Sequence, residues 1–507
     1  MTIPEAFMAA CERFPHKTAV VDDMGSIAFE DYGRKARLMA DLVGSWTKRR
    51  NVGICLPTCK EFGIVYLGAL MAGKTAVPLN YLLQRNELDF IVRDAELDTI
   101  ITVRYFKDLV GGLAANTIYL EDLRSTWFKV GFAARKVLRT IFGAPRLPAL
   151  NVDDVVTILY TSGTTSSTPK GVMLTHANIM TNLDACTKAC FFDNRDVLLG
   201  VLPLFHSFAL ATSLILPAWL GILVVYQRRF AAAQALALIA QHGVTCILAI
   251  PSMYRVLVRT GDKGKHDTSS LRLCVAGGEA CPRELSVAFR KAFDLPLLEG
   301  YGLTETSPVV SVNSPEHYKL GTAGRPLVNL EVRIADEQGN ALPPGAEGEI
   351  WVRGPSIMKG YYKRPDLTRE AITPDGWFKT GDLGRLDADG FLAITGRKKE
   401  LIISSGENIS PNEIEAVLMQ HPKVFEAAVL PAPDKMRGEV PKAYIALHPG
   451  QHATEQEIRD FCEGRLAKHK IPRYVEFREQ LPHGPTGKVL KRAIKSTAEA
   501  QRTQRTD

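Results

Sequence analysis

A polar stretch at residues 161–171, Thr-Ser-Gly-Thr-Thr-Ser-Ser-Thr-Pro-Lys-Gly, sits between two apolar runs at 155–160 and 171–174. The pattern reads as strand, loop, strand, so any fold for this chain must set two strands at the mouth of a donor-rich loop. Hydroxyls of Thr161, Ser162, Thr164 and Thr165, with the amides beside Gly163, concentrate many hydrogen-bond donors in a few residues. Such a loop can wrap a polyphosphate, and Lys170 adds a point charge. No Gly-Lys-Ser/Thr run opens a helix here, so this is not a Walker A loop. Taken alone, the stretch also reads as a Ser/Thr-rich surface turn.

A length of 507 residues implies two or more domains with sizeable cores. The net charge of +7 admits an anionic ligand or a membrane surface and gives no argument for nucleic acid. The 9 cysteines form no C-x-x-C pair and no zinc spacing, which fits a reducing, cytoplasmic setting. Cys186 and Cys190 share a helix face and read as packing residues. The first residues carry Glu5 and no basic region, so no cleaved signal is expected. Residues 209–226 are uncharged and long enough to resemble a membrane span. Pro217 and Gly221 interrupt them, however, and a buried helix, turn and strand is the expected structure.

Up to about residue 110 the chain alternates helical spacing, at 31–46 and 61–72, with short strands at 52–56 and 75–79. This is the rhythm of a layered α/β domain. Residues 125–143 differ: Trp127, Val130, Ala134, Leu138 and Ile141 fall on one helical face, with Lys129, Lys136 and Arg139 opposite. That is the pattern of an interfacial membrane contact, although Phe128 and Phe132 break the polar face and leave an ordinary packed helix open.

Further on, buried strands are expected at 244–250 and 271–275, each running into a loop. His206 stands among apolar residues at 202–208, the usual setting of a core histidine. In Gly-Tyr-Gly-Leu-Thr-Glu-Thr, 300–306, the glycines let a flat ligand approach the backbone. Tyr301 there offers a stacking face and Glu305 a hard oxygen ligand for magnesium. Composition turns β-rich from 321 to 394, and within it Asp382 suits a ribose diol. A small α/β unit follows, with helices at 412–419 and 455–467 and strands at 426–430 and 443–447.

Five motifs, T-S-G-T-T…P-K-G, G-Y-G-L-T-E-T, T-G-D, G-R-K-K-E and T-G-K, span nearly the whole chain. In this order and spacing they resemble the adenylate-forming superfamily of acyl-CoA synthetases, luciferases and peptide-synthetase adenylation domains. The resemblance implies an α/β fold with a large, multi-layer N-terminal AMP-binding domain at 1–396, made of two α/β subdomains and a β-rich one. A small, mobile α+β C-terminal domain at 397–507 would hinge near Lys399. It also implies a two-step ligation that uses ATP, Mg2+ and CoA. A carboxylate attacks the α-phosphate to give acyl-AMP and pyrophosphate, and a thiol then displaces AMP.

Carried over by residue, Thr161, Ser162, Gly163, Thr164, Thr165 and Lys170 would hold the β- and γ-phosphates. Gly278, Glu279, Gly300 and Tyr301 would line the adenine, and Asp382 and Arg397 would bind the ribose. Glu305 resembles the magnesium ligand, with Thr304 beside the α-phosphate. His206 resembles the residue at the junction of acyl pocket and thiol tunnel. Ser405, Gly406 and Glu407 fall on the loop that swings in for thiolation, and Lys488 resembles the lysine bridging carboxylate and α-phosphate. One departure stands out. The family's T-T-G-x-P-K-G is here T-T-S-S-T-P-K-G, with the glycine replaced and the loop one residue longer.

The motifs at 202–208 and 300–308 look most like those of fatty-acid members. Transfer of a medium- or long-chain fatty acid to CoA is therefore the expected reaction. An aryl acid of 4-coumarate type, an acyl carrier protein as the thiol, and a non-catalytic nucleotide-binding relic are the alternatives. Intact Lys488, Glu305, Asp382 and Arg397 oppose the relic. No carrier segment follows Arg492, so a peptide-synthetase module is not expected, and any membrane contact would run through 125–143.

Attack of one anion on another needs positive charge at the transition state in a water-poor site. Lys488→Ala is accordingly expected to abolish adenylate formation while sparing thiolysis of pre-made acyl-adenylate, measured as separate half-reactions. Equal loss of both would contradict the assignment.

Overall fold

Strands covered on both faces need unbroken apolar sequence. Asn51–Cys55, Thr75–Pro78 and Thr99–Thr102 come close, with Asn or Thr only at their ends, and every one of their residues is buried. The computed structural model describes residues 1–124, 148–161, 169–260, 264–405, 407–434, 436–482, Val489, Lys491, Ala493 and Ile494. The helix expected at 125–143, together with Ser162, Gly163, Thr164, Thr165, Gly406 and Lys488, lies outside the described residues.

The three buried strands belong to a seven-stranded sheet that runs Gly360–Tyr361, Lys170–Thr175, Val155–Thr161, Thr75–Pro78, Asn51–Cys55, Thr99–Thr102, Asn116–Tyr119. Val155–Thr161 and Lys170–Thr175 pair antiparallel, Thr161 opposite Lys170, so the strands that flank the polar loop are partners. A second, nine-stranded sheet has a parallel centre. Thr18–Asp22, Leu223–Tyr226, Val197–Gly200, Cys246–Ala249, Leu273–Ala276 and Leu297–Gly302 lie side by side, with antiparallel strands at both edges. The β-rich region is a four-stranded antiparallel sheet of Glu331–Ala335, Gly348–Arg353, Phe378–Leu386 and Leu392–Arg397.

Between the two large sheets lies helix Lys60–Met71, which touches strands of both. All its residues but Glu61 are buried, as expected of a helix apolar all round. Its one buried cation is matched: Lys60 Nζ lies 2.6 Å from the Asp22 carboxylate, which also accepts from Lys60 N at 3.0 Å. The uncharged stretch 209–226 forms a helical run, Ser207–Ala209, Leu210–Ile215 and Leu216–Leu220, and then strand Leu223–Tyr226. Gly221, at φ +76°, ends the helix, as the glycine implied. Among the described residues no helix is long and apolar enough to cross a membrane.

The small C-terminal domain has a five-stranded sheet and its own core, centred on Ile402, Ile414, Leu418, Val429, Ile445 and Ile458. Its second helix, Glu455–Cys462, is shorter than the spacing suggested, because Gly464 at φ +73° turns the chain away. The chain passes from the four-stranded sheet to this one between Arg397 and Ile402.

Helix Phe29–Trp46 packs closely on Lys60–Met71, and a Cβ on Gly63 would lie 1.7 Å from the Tyr32 hydroxyl. Gly63→Ala is expected to lower stability by about 1–3 kcal/mol in chemical denaturation. Tyr32→Phe should recover part of that loss in the double variant.

Glu299, on strand Leu297–Gly302, has its pKa pushed up from 4.5 to about 7 by burial. The unfolded chain releases this proton first, so stability contributed by the neutral form is present at low pH and falls as pH rises from about 4.5 to 7. Glu299→Gln should remove that slope and stabilise the protein at pH 8 by roughly 2–3 kcal/mol, read from denaturation across pH.

Candidate active site

The parallel strands of the nine-stranded sheet end on one side, and loops leaving their carboxyl ends wall a cavity, the usual place for a ligand in an open α/β sheet. Gly277 and Gly278 follow Leu273–Ala276, while Gly300, Tyr301 and Gly302 end the neighbouring strand. The hairpin of the other sheet contributes Thr161 and Lys170, and the four-stranded sheet contributes Glu349, Lys379, Thr380, Asp382 and Arg397. The cavity holds ≈ 560 Å³, and every described residue lining it precedes Glu400. Thus Thr161, Lys170, His206, Gly278, Gly300, Tyr301, Thr304, Glu305, Asp382 and Arg397, spread over nearly half the chain, share one space.

Asp382 is the most tightly held of these. On adjacent strands it faces Arg397, whose Nε lies 2.8 Å from Oδ1, and the Tyr301 hydroxyl donates to Oδ2 at 2.7 Å. The side chain is 4% exposed, so the buried charge depends on these partners. Glu349 lies alongside: its carboxylate accepts from Gly381 N at 3.1 Å and pairs with Lys398 Nζ at 3.3 Å.

Glu305 occupies the short turn Thr304–Thr306, with Oε1 accepting from the Tyr361 hydroxyl at 2.9 Å. Burial holds its carboxyl above the ordinary range, only partly opposed by that hydrogen bond and by Arg397. Lys170 shows the complementary effect. Burial pulls its pKa below the lysine value, Lys399 adds to the shift, and Glu305 acts against it. Each charge is incompletely matched by the protein, which suits a site that takes up both an anion and a cation.

His206 projects into the cavity, while the dense protein around it holds its pKa below the ordinary value. Its Nδ1 accepts from Phe208 N at 3.3 Å, so the neutral ring carries its proton on Nε2. It is therefore a cavity residue and not the satisfied core histidine its apolar neighbours suggested. Thr304 Oγ1 lies 3.2 Å from Ser207 Oγ.

Two glycines expected to serve a flat ligand have different causes. A Cβ on Gly302 would lie 1.9 Å from Pro308 O, so the chain itself requires glycine there. At Gly300 the nearest atom is 3.4 Å away, an ordinary contact. Glu279 is not among the lining residues, and its carboxylate accepts from Ser252 N at 3.4 Å. Ser405 and Glu407 lie on the hairpin of Ile402–Ser404 and Glu407–Ile409, away from the lining.

Part of the lining is uncharged. Cys186 and Cys190 from helix His176–Cys190, Phe192, Thr212, Leu216, Leu248 and Val275 contribute no charged group. Thr212 Oγ1 donates to Phe208 O at 2.8 Å, so its hydroxyl is already satisfied. The two cysteines are free and buried, as their shared helix face suggested. Sequence reading did not single out Glu349 or Tyr361, while Lys398 lies within the G-R-K-K-E motif and Lys379 next to T-G-D without either having been given a role.

A profile of the AMP-binding enzyme family matches residues 7–362, and one of the AMP-binding enzyme C-terminal domain matches residues 413–488. The long-chain-fatty-acid–CoA ligase of Bacillus subtilis (strain 168) is 32% identical, over 97% of this chain and 94% of the relative. A feruloyl-CoA synthase of an Amycolatopsis species is 33% identical, over 95% and 96%. The structure of o-succinylbenzoate CoA synthetase from Bacillus subtilis with its acyl-adenylate superposes with a TM-score of 0.86 at 32% identity, covering 97% of each chain. That enzyme has also been solved with ATP and a magnesium ion. With both profiles in sequence order and the site residues gathered in one cavity, the chain belongs to the AMP-binding enzyme family and is an AMP-forming acid–CoA ligase.

Proposed function

We propose that the acid activated by this ligase is a medium- or long-chain fatty acid. The observation that carries this reading is the uncharged part of the lining, Cys186, Cys190, Phe192, Leu216, Leu248 and Val275. An apolar tail is favoured there by burial, about 25 cal/mol per Å². An acid with a second charged group would lose hydration against this wall without gaining a partner.

In this proposal the carboxylate lies near His206 and Thr304, with the α-phosphate of ATP beside Thr304. The adenine rests against Gly278, Gly300 and Tyr301, and the ribose hydroxyls bond to the Asp382 carboxylate, which Arg397 Nε meets at 2.8 Å. Lys170 meets the phosphates that leave as pyrophosphate. A carboxylate oxygen forms the new bond to phosphorus as the bond to pyrophosphate breaks, giving acyl-AMP. The sulfur of CoA then bonds to the acyl carbon and AMP departs with the carboxylate oxygen.

The residues fit a magnesium ion. Glu305 offers a carboxylate with one oxygen engaged by Tyr361, and among the described residues no set of three or more His, Cys, Asp or Glu side chains is arranged around a metal. A single carboxylate suits Mg2+, which takes its other ligands from phosphates and water. Bound there, the ion would neutralise phosphate charge. Turning the C-terminal domain about 396–400 would bring Ser405, Gly406 and Glu407 towards the site for the thiol step, and would set the domain limits at 1–396 and 397–507.

ATP–pyrophosphate exchange across a panel of acids tests the substrate. Medium- and long-chain saturated acids should support exchange better than 4-coumarate-type acids. Cys190→Phe should lower kcat/KM for the longest accepted acids by about tenfold or more while sparing shorter ones. Preference for aryl acids would overturn the fatty-acid reading, and exchange with no acid would favour the relic.

A further inference from the structure

Gly360–Tyr361 is a two-residue strand reached from the β-rich part of the chain, yet it pairs with Lys170–Thr175 on the other sheet. Backbone bonds extend the pairing: Lys359 N donates to Met173 O at 2.9 Å and Tyr362 N to Gly171 O at 2.7 Å. The same segment holds the turn that carries Glu305, because Met358 N donates to Glu305 O at 2.8 Å. Tyr361 completes the link with its side chain. The hydroxyl donates to Glu305 Oε1 at 2.9 Å, and the Lys170 ammonium lies 5.3 Å from the centre of the ring. The residue is itself fixed, being buried and donating its backbone N–H to Thr368 Oγ1 at 2.9 Å.

We propose that Tyr361 is a positioning residue that sets Glu305 and Lys170 relative to each other, so that metal carboxylate and phosphate-holding lysine act as one unit. Two physical effects support this. A donor on Oε1 fixes the plane of the carboxylate and so the direction of its other oxygen, as outer partners of metal ligands do. The ring face restrains an ammonium that otherwise swings on a four-carbon stem. A neutral phenol performs both tasks without adding charge to a site that must balance a cation against a polyphosphate. A cation in its place would compete with the metal for Glu305, and a carboxylate would compete with the phosphates for Lys170.

The inference rests on the roles proposed above for Glu305 and Lys170, and calorimetric titration of the full-length protein separates the two. ATP is titrated once in EDTA and once with excess magnesium. Tyr361→Phe should weaken binding of Mg·ATP by about tenfold and leave ATP in EDTA unchanged, because the ring remains beside Lys170. Tyr361→Leu removes the ring as well and should also weaken ATP in EDTA, by roughly two- to tenfold. A Phe variant that binds Mg·ATP like the wild type overturns the proposal, and so does a Phe variant that loses both ligands equally. Glu305→Gln supplies the control. If it leaves Mg·ATP binding unchanged, Glu305 is not the metal carboxylate and the underlying reading fails. If it weakens that binding while Tyr361→Phe does not, the present inference alone fails.

Discussion

The carboxylate of Asp382 ties together the four-stranded sheet and the end of the nine-stranded one. Arg397 holds one oxygen from the neighbouring strand, and Tyr301 holds the other from the end of the nine-stranded sheet. Three groups distant in sequence thereby define one wall. Because Asp382 is buried, loss of either partner weakens the compensation of its charge, so the four-stranded sheet is held at the mouth of the larger one by a polar requirement as well as by apolar packing. The catalytic reading depends on that placement. In the ribose-binding role proposed for it, Asp382 would need Gly278, Gly300, Tyr301 and Lys170 at fixed positions relative to it.

The cavity lining holds two sets of residues with opposite physical character. One gathers Lys170, Glu305, Glu349, Asp382, Arg397 and Lys398 from the hairpin, the 304–306 turn and the four-stranded sheet. The other, Cys186, Cys190, Phe192, Thr212, Leu216, Leu248 and Val275, carries no charge. His206 lines the same cavity, its pKa held below the ordinary value by burial. The proposed apolar-tailed acid and the triphosphate of ATP would each find a matching set. In the charged set, burial shifts Glu305 up and Lys170 down, so binding of magnesium and phosphates would relieve two unfavourable charges already present.

Much of this was legible in sequence because it rests on local signals. Apolar runs at 155–160 and 171–174 become paired strands, and alternation before residue 110 becomes the layered sheet. Gly221 ends the helix that interrupts the apparent membrane span. Motif residues such as Glu305, Asp382 and Arg397 were identifiable by type and order. What escaped notice depends on contacts between distant segments. Tyr361 meets Glu305 across 56 positions, and Glu349 meets Lys398 across 49. Gly302 likewise looked like a ligand-facing glycine, but its requirement comes from the Pro308 carbonyl. Cys186 and Cys190 were read as packing residues, and they also line the cavity, a distinction set by which helix face meets the sheet ends.

Oxygen transfer tests the central claim most directly. With an acid labelled with 18O in its carboxylate and CoA present, attack on the α-phosphate leaves one labelled oxygen in AMP and none in pyrophosphate, because the thiol later breaks the acyl carbon–oxygen bond. Mass spectrometry of the products should therefore find singly labelled AMP in equal amount to the thioester. Unlabelled AMP, or label in pyrophosphate, would show that acid and ATP do not join through acyl-AMP and would contradict the account.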